Sequence, residues 1–237
     1  MRKVLYYWSM KCLMRRITPL TEGLGVDIYV LSLYKLFGLH LGLMYVKEQH
    51  HKKLDNQSLE FMPELYSGIS SSGAPNYLRI ALNPGLVNHE EVTSLLGLVE
   101  YLQTLHFHHF EKNAVDFHQC IKSVFELIEK YETELADQFL NNIESNTNIH
   151  LIGQLNKHTK ERSPTYCIQI DNCKTPKVNT GQLARKNIAV QSGSFYAWRC
   201  LQVIGVGPDL GVLRISMAHF NSSEEVNRLN SEINSLL

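Results

Sequence analysis

The sequence predicts an α/β chain in two parts, and three observations carry that prediction. Two short apolar runs, Ile28–Leu31 and Leu41–Tyr45, flank a polar, glycine-bearing segment as strands flank a turn. A long stretch from about Val115 to Leu140 spaces its apolar residues at the helical period. Beyond it, short strand-like and helix-like segments alternate to the end. A long helix followed by mixed elements reads as a second, α+β unit, so the expected domains are residues 1–105 and 106–237.

Residues 1–21 carry Arg2, Lys3, Lys11, Arg15 and Arg16, with no acid before Glu22. Val4–Trp8 is too short for a secretory apolar core, and no small-residue cleavage site follows it. Asp27–Leu31 and Leu41–Val46 are expected as buried strands, being short, apolar and partly β-branched or aromatic. Lys47–Leu54 is polar and expected to be helical. Residues 66–88 hold Gly68, Gly73, Pro75, Pro84 and Gly85 and are expected as loop. Asn88 is placed to cap a helix, with Glu91 completing a capping-box pattern and Val92, Leu95, Leu96, Val99 and Leu102 on one apolar face. Ile121, Val124, Ile128, Tyr131, Leu135 and Phe139 mark the buried stripe of the long helix. Strands are then expected at Ile149–Ile152, Tyr166–Ile170, Ile188–Gln191 and Gly211–Ser216. Helices are expected at Lys177–Lys186, with Pro176 near the first turn, and at Tyr196–Ile204. The last helix starts at Asn221 or Ser222, with Glu224 and Glu225 at capping-box distances.

Lys and Arg together number 23, as do Asp and Glu, and the pI is near 7.2. That balance argues against a nucleic acid or an anionic membrane as partner. No apolar run approaches the ~20 residues of a membrane helix. The five cysteines, Cys12, Cys120, Cys167, Cys173 and Cys200, are odd in number and irregularly spaced, which suits a reducing cytoplasm. The sequons at Asn56 and Asn221 are then chance.

Lys35 stands between the first two apolar runs. It reads either as an ordinary solvated loop lysine or as an amine that attacks a carbonyl, since desolvation favours the neutral nucleophile. Arg214 interrupts the strand-like run GVLRIS. Its fork suits either a structural Asp or Glu or a carboxylate ligand. His106 and His109 share a helical face, with His108 and His118 near, but no acidic or cysteine ligand stands at a matching offset. They read as a surface helix end, and no metal is expected. Cys167 and Cys173 do not have zinc-ligand spacing and read as small buried hydrophobes. Gly205 and Gly207 lie in a helix–loop–strand order, the reverse of a dinucleotide fingerprint, and read as a turn. Ser192-Gly193-Ser194 lacks the G-x-S-x-G pattern of a nucleophile elbow.

Several stretches match one pattern together and in order. SLYKLFGLHLGLMY resembles the cofactor-lysine segment of class V aminotransferase-like enzymes, pyridoxal-phosphate proteins of fold type I that include cysteine desulfurases and selenocysteine lyases. NPGLVNHEEVTSLLGLVEYL resembles the loop and helix that follow it. SGSFYAWRCLQVIG and GVLRISMAHFNSSEEVNRL resemble the C-terminal signature, where an R-x-S element leads to an asparagine-capped last helix. The match covers most of residues 24–237. It implies that Lys35 holds pyridoxal phosphate covalently, that Ser32 contacts its phosphate, and that Tyr34 fills the place where many relatives put a second phosphate ligand. Arg214 matches the arginine that grips the substrate α-carboxylate.

The chain departs from the pattern in three places. Relatives carry a large portion before this lysine, with a phosphate-binding loop, a ring-stacking residue and an aspartate paired to the pyridinium nitrogen. Only 34 residues precede Lys35 here, and the region where that aspartate is expected, roughly Ser9–Arg16, contains no acid. Leu39 stands where proline is common. Gly193-Ser194-Phe195-Tyr196 stands where cysteine desulfurases carry their catalytic cysteine, and Cys200 lies beyond it in an expected helix. The resemblance therefore implies an N-terminally truncated member: the remnant of a cofactor-binding large domain at 1–105 and a complete α+β small domain at 106–237. The expected function is pyridoxal-phosphate chemistry on an amino acid, by transamination or by β- or γ-elimination, with impaired activity. The expected partners are an amino-acid substrate and either a second copy or an intact homologue. The rival expectation is an inactive fragment or binding module that associates with that homologue.

Overall fold

The computed structural model describes residues 26–61, 81–83, 88–110, 116–155, 163–171, 175–207 and 210–237. The basic stretch 1–21 with its acid-free segment Ser9–Arg16, most of the expected loop 66–88, and Cys173 lie outside these residues. Contacts divide the chain into two units, Met1–Val124 and Phe125–Leu237. Each is described by itself.

In the first unit, β1 (Ile28–Ser32) and β2 (Gly42–Val46) pair antiparallel, from Ile28 opposite Val46 to Ser32 opposite Gly42. A 3-10 turn, Leu33–Leu36, leaves β1 and ends at Phe37, which is left-handed with φ 69°. Gly38 follows because a Cβ there would stand 3.1 Å from the Leu33 carbonyl oxygen. The expectation of two buried strands is corrected. Tyr29 and Leu31 are buried, but Val30 is 48% exposed, and Leu43 and Met44 are each 45% exposed. Val30 pairs with Met44, so the period-two alternation puts both on one uncovered face. A second 3-10 segment, Glu48–Lys53, follows β2.

The helix expected after Asn88 forms, with Asn88 Oδ1 accepting the Glu91 N–H at 3.1 Å. It breaks into α1 (His89–Thr93) and α2 (Leu95–His109), joined at Ser94. The Ser94 hydroxyl donates to the Glu91 carbonyl at 2.6 Å, a local bond that bends helices. The anticipated apolar face is only partly used: Leu102 is buried, whereas Val92 and Leu96 are exposed. Next comes α3 (Phe117–Glu144), whose Val124, Ile128, Leu135 and Phe139 are buried as the stripe requires.

The second unit is built on a four-stranded antiparallel sheet of β3 (Ile149–Ile152), β4 (Thr165–Ile170), β5 (Gln191–Gly193) and β6 (Val212–Ser216), in the order β3-β4-β6-β5. α4 (Pro176–Arg185) precedes β5, α5 (Trp198–Val203) follows it, and α6 (Ser223–Asn234) closes the chain. Leu135, Phe139, Leu140 and Ile143 of α3 pack with Tyr166 and Ile168 of β4, Leu213 and Ile215 of β6, and Val226, Leu229 and Ile233 of α6. Ser222 caps α6 in a full capping box with Glu225.

Two expectations shift here. Asn187, at φ 56°, closes α4, and the Ile188 N–H returns to the Leu183 carbonyl at 3.0 Å. Residues 188–190 are therefore irregular, and the strand begins at Gln191. The helix expected from Tyr196 starts at Trp198, because Phe195 (φ 51°) and Tyr196 (φ 62°) are left-handed and cannot continue into an α-helix. Phe139→Ala removes the largest apolar contribution of α3 to this interior. It is expected to lower unfolding free energy by about 3–5 kcal/mol, read as a shifted midpoint in urea denaturation; a change within error would show that the second unit does not rest on this packing.

Candidate functional site

Ser32, Tyr34 and Lys35 sit together on the turn between β1 and β2. Leu33 and Leu36 are buried and anchor the turn, and the Leu33 N–H donates to the Leu41 carbonyl at 2.8 Å. The 3-10 geometry thus keeps Lys35 half-buried between two fixed leucines, which shorten its tether without sealing it from solvent. Its Nζ lies 5.6 Å from the Tyr34 ring centroid. Tyr34 stacks on His40 at 4.7 Å. Ser32 is the residue before the turn, and its hydroxyl does not cap it.

Arg214 belongs to the second unit. Leu213 and Ile215 face the interior, so alternation sends Arg214 to the opposite face of β6. Gln191 of β5 is its register partner. Nη2 of Arg214 donates to Oε1 of Gln191 at 2.7 Å, and Cζ lies 4.0 Å from the centroid of the Phe195 ring, a cation–π contact. Among the described residues no Asp or Glu forms an ion pair with it. Of the two readings of this arginine, the internal carboxylate partner is therefore absent from the described residues.

The turn that brings Phe195 here depends on two glycines. Gly211, at φ 67°, runs so close to β5 that a Cβ would stand 2.5 Å from the carbonyl carbon of Gly193. A small apolar cluster of Leu201, Val206 and Val212, with Ile152, Cys167 and Phe195 against it, supports this face of the sheet. Sequence reasoning singled out Arg214 but missed Gln191 and Phe195. The alternation of β6 identifies the face. The partner strand and its register, 23 residues away, have no local signal.

Of the four histidines expected at a surface helix end, His106 departs from that expectation. His106 is 4% exposed, and its Nδ1 lies 2.8 Å from the Ser123 hydroxyl. That hydroxyl donates to the Cys120 carbonyl at 2.9 Å, so His106 donates to it from Nδ1. His108, His109 and His118 are exposed. No group of three or more His, Cys, Asp or Glu side chains gathers in a metal-binding arrangement among the described residues. Cys167 is half-buried rather than buried, and Cys200 is exposed on α5. Among the described residues no helix is long and apolar enough to cross a membrane.

The family profile of class V aminotransferases matches residues 16–229. The aminotransferase-like protein FGM3 of Gibberella zeae is 22% identical over 209 residues, 88% of this chain and 45% of that protein. The cysteine desulfurase-like protein ustD of Aspergillus flavus is 24% identical over 228 residues, 95% of this chain and 46% of that protein. An apo cysteine desulfurase from Thermococcus onnurineus NA1 superposes with a TM-score of 0.65 at 18% identity, over 91% of this chain and 48% of that one. The mixed α/β fold is thus the one expected, and the chain spans about half the length of these relatives.

The base of the Lys35 hairpin carries its own clasp. Lys47 donates from Nζ to Asp27 Oδ1 at 3.2 Å and from its backbone N–H to the Asp27 carbonyl at 3.0 Å, while His50 Nε2 lies 3.4 Å from the same carboxylate. The Lys47 ammonium, above all, holds the Asp27 carboxyl below the usual carboxylate range. A depressed folded value means that the clasp stabilises the hairpin above the unfolded pKa of about 3.9. That contribution is lost as pH falls through the lower folded value. Hydrogen-exchange protection of the β1 and β2 amides is therefore expected to fall below about pH 4. Asp27→Asn is expected to lower protection at neutral pH and remove the acid dependence; an unchanged acid limb in that variant would rule the clasp out.

Proposed function

Because the chain belongs to the class V aminotransferase family, we propose that it binds pyridoxal phosphate through Lys35 and presents Arg214 to the α-carboxylate of an amino acid. The observation that carries the reading is the state of Arg214: a strand guanidinium held at one edge by Gln191 and on one face by Phe195, with no acid pairing it among the described residues. Such a guanidinium retains donors for a carboxylate ligand. The turn at Lys35 fits the cofactor in its donor chemistry. An amine stands beside a hydroxyl that does not cap the turn and beside a tyrosine. Lys35 would hold the cofactor through Nζ, with Ser32 and Tyr34 toward its phosphate.

When bound, pyridoxal phosphate supplies an electron sink for the bond broken at the α-carbon. Arg214 would fix the carboxylate and so orient that carbon, and Lys35, once displaced, would carry the proton to and from it. Both transamination and β- or γ-elimination use these roles. Gly193-Ser194-Phe195-Tyr196, with no cysteine in the stretch where desulfurases carry theirs, speaks against persulfide chemistry at that position. The free thiols of Cys120, Cys167 and Cys200 suit the reducing cytoplasm in which this reading places the protein.

A second reading has its own observation. Val30, Leu43 and Met44 leave apolar side chains uncovered beside the Lys35 turn. A surface of that kind favours association with a second copy or with a fuller homologue. A monodisperse monomer in sedimentation would count against it. For the first reading, titrating the chain with pyridoxal phosphate is expected to raise a visible absorbance band that Lys35→Ala loses and Arg214→Lys keeps. Absence of the band in the unaltered chain, or an equal band in Lys35→Ala, would sink it.

A further inference from the structure

Resting on the carboxylate role of Arg214 above, we propose that Gln191 is a second carboxylate-binding group, so that the substrate carboxylate is received by a guanidinium–amide pair. A guanidinium carries donors only, so the amide must turn its oxygen, Oε1, toward Nη2, as the 2.7 Å contact records. The other end of the amide is then fixed. Nε2, with two N–H donors, is directed away from Nη2 and makes no hydrogen bond among the described residues.

The open edge of the pair therefore presents N–H groups and no acceptor. Gln191 and Arg214 are register partners on adjacent strands, so their side chains leave the same face of the sheet side by side. The guanidinium carbon lies 4.0 Å over the centroid of the Phe195 ring, a contact that limits its movement. A surface of converging donors selects an anion. The planar fork of arginine together with a neighbouring amide matches the two oxygens of a carboxylate. Gln191 thus adds a contact to the ligand and sets the plane of the arginine at once.

The residue at 191 also explains why the site stays open. An acid there would be the internal partner that Arg214 lacks among the described residues, and it would fill the place of the ligand. Gln191→Glu is therefore a blocking substitution that keeps the fold.

The test uses the whole chain, 15N-labelled, titrated with acetate and with L-alanine. The readout is the Arg214 Nε–Hε resonance, assigned by its loss in Arg214→Lys. The unaltered chain is expected to show a saturable shift. Gln191→Ala is expected to weaken it about tenfold, the scale of one hydrogen bond to a charged group. Gln191→Glu is expected to abolish it, with backbone spectrum and Tm retained. A normal response in Gln191→Glu, or an unchanged Kd in Gln191→Ala, would overturn the proposal and leave the role of Arg214 standing. A flat titration of the unaltered chain would overturn both.

Discussion

The second unit depends on one constraint: β6 must send Leu213 and Ile215 into the interior shared with α3 and α6. Once that face is buried, alternation leaves no choice for the residue between them. Arg214 leaves the opposite face because a one-residue slip would put a guanidinium into the core and take Leu213 and Ile215 out of it. The site inherits its aim from packing rather than from contacts of its own. The antiparallel order β3-β4-β6-β5 sets β6 inside the sheet with a neighbour on each side. A central strand is a rigid mount for the Arg214 side chain, and Gln191, on the neighbouring edge strand, can reach it without crossing the core.

The first unit solves a different problem. Lysine is poorly suited to burial, yet Lys35 has to sit in the turn between two strands. The turn from β1 meets both demands by burying the residues on either side of the Tyr34–Lys35 pair. Leu33 and Leu36 bear the packing, and the lysine between them stays half-buried. The clasp of Asp27 and Lys47 closes the opposite end of the same hairpin, so turn and base are both pinned over the five paired positions between them.

Much of this was legible in the residues themselves. The stripe of α3, the Asn88 and Ser222 caps and the outward arginine all follow from local period and capping chemistry, which do not need the rest of the chain. What failed to be legible was set by distant pairing. Nothing near His106 says that Ser123 will meet it, and so its burial is invisible at the level of a helix end. Nothing near Gln191 says that its strand will register against Arg214. The left-handed turn at Phe195 and Tyr196 uses residues without glycine's freedom, so it leaves no compositional mark. Lys35 is the intermediate case: its surroundings leave two readings open, and the resemblance along the chain is what suggests the cofactor role.

The two glycines beside the site divide this corner of the molecule into positions of unequal evolutionary freedom. Gly211 cannot accept any side chain while Gly193 lies against it, and both hold backbone angles that other residues rarely adopt. Tyr196, three residues from Gly193, is 94% exposed. A lineage drifting by single substitutions is thus locked at 193 and 211 and freer in side chain at 196, where the left-handed backbone is the remaining restriction. Novelty in the chemistry of this site is channelled to the tip of one turn, beside an anchor that stays still, and a saturation scan of 191–211 would read that contrast directly.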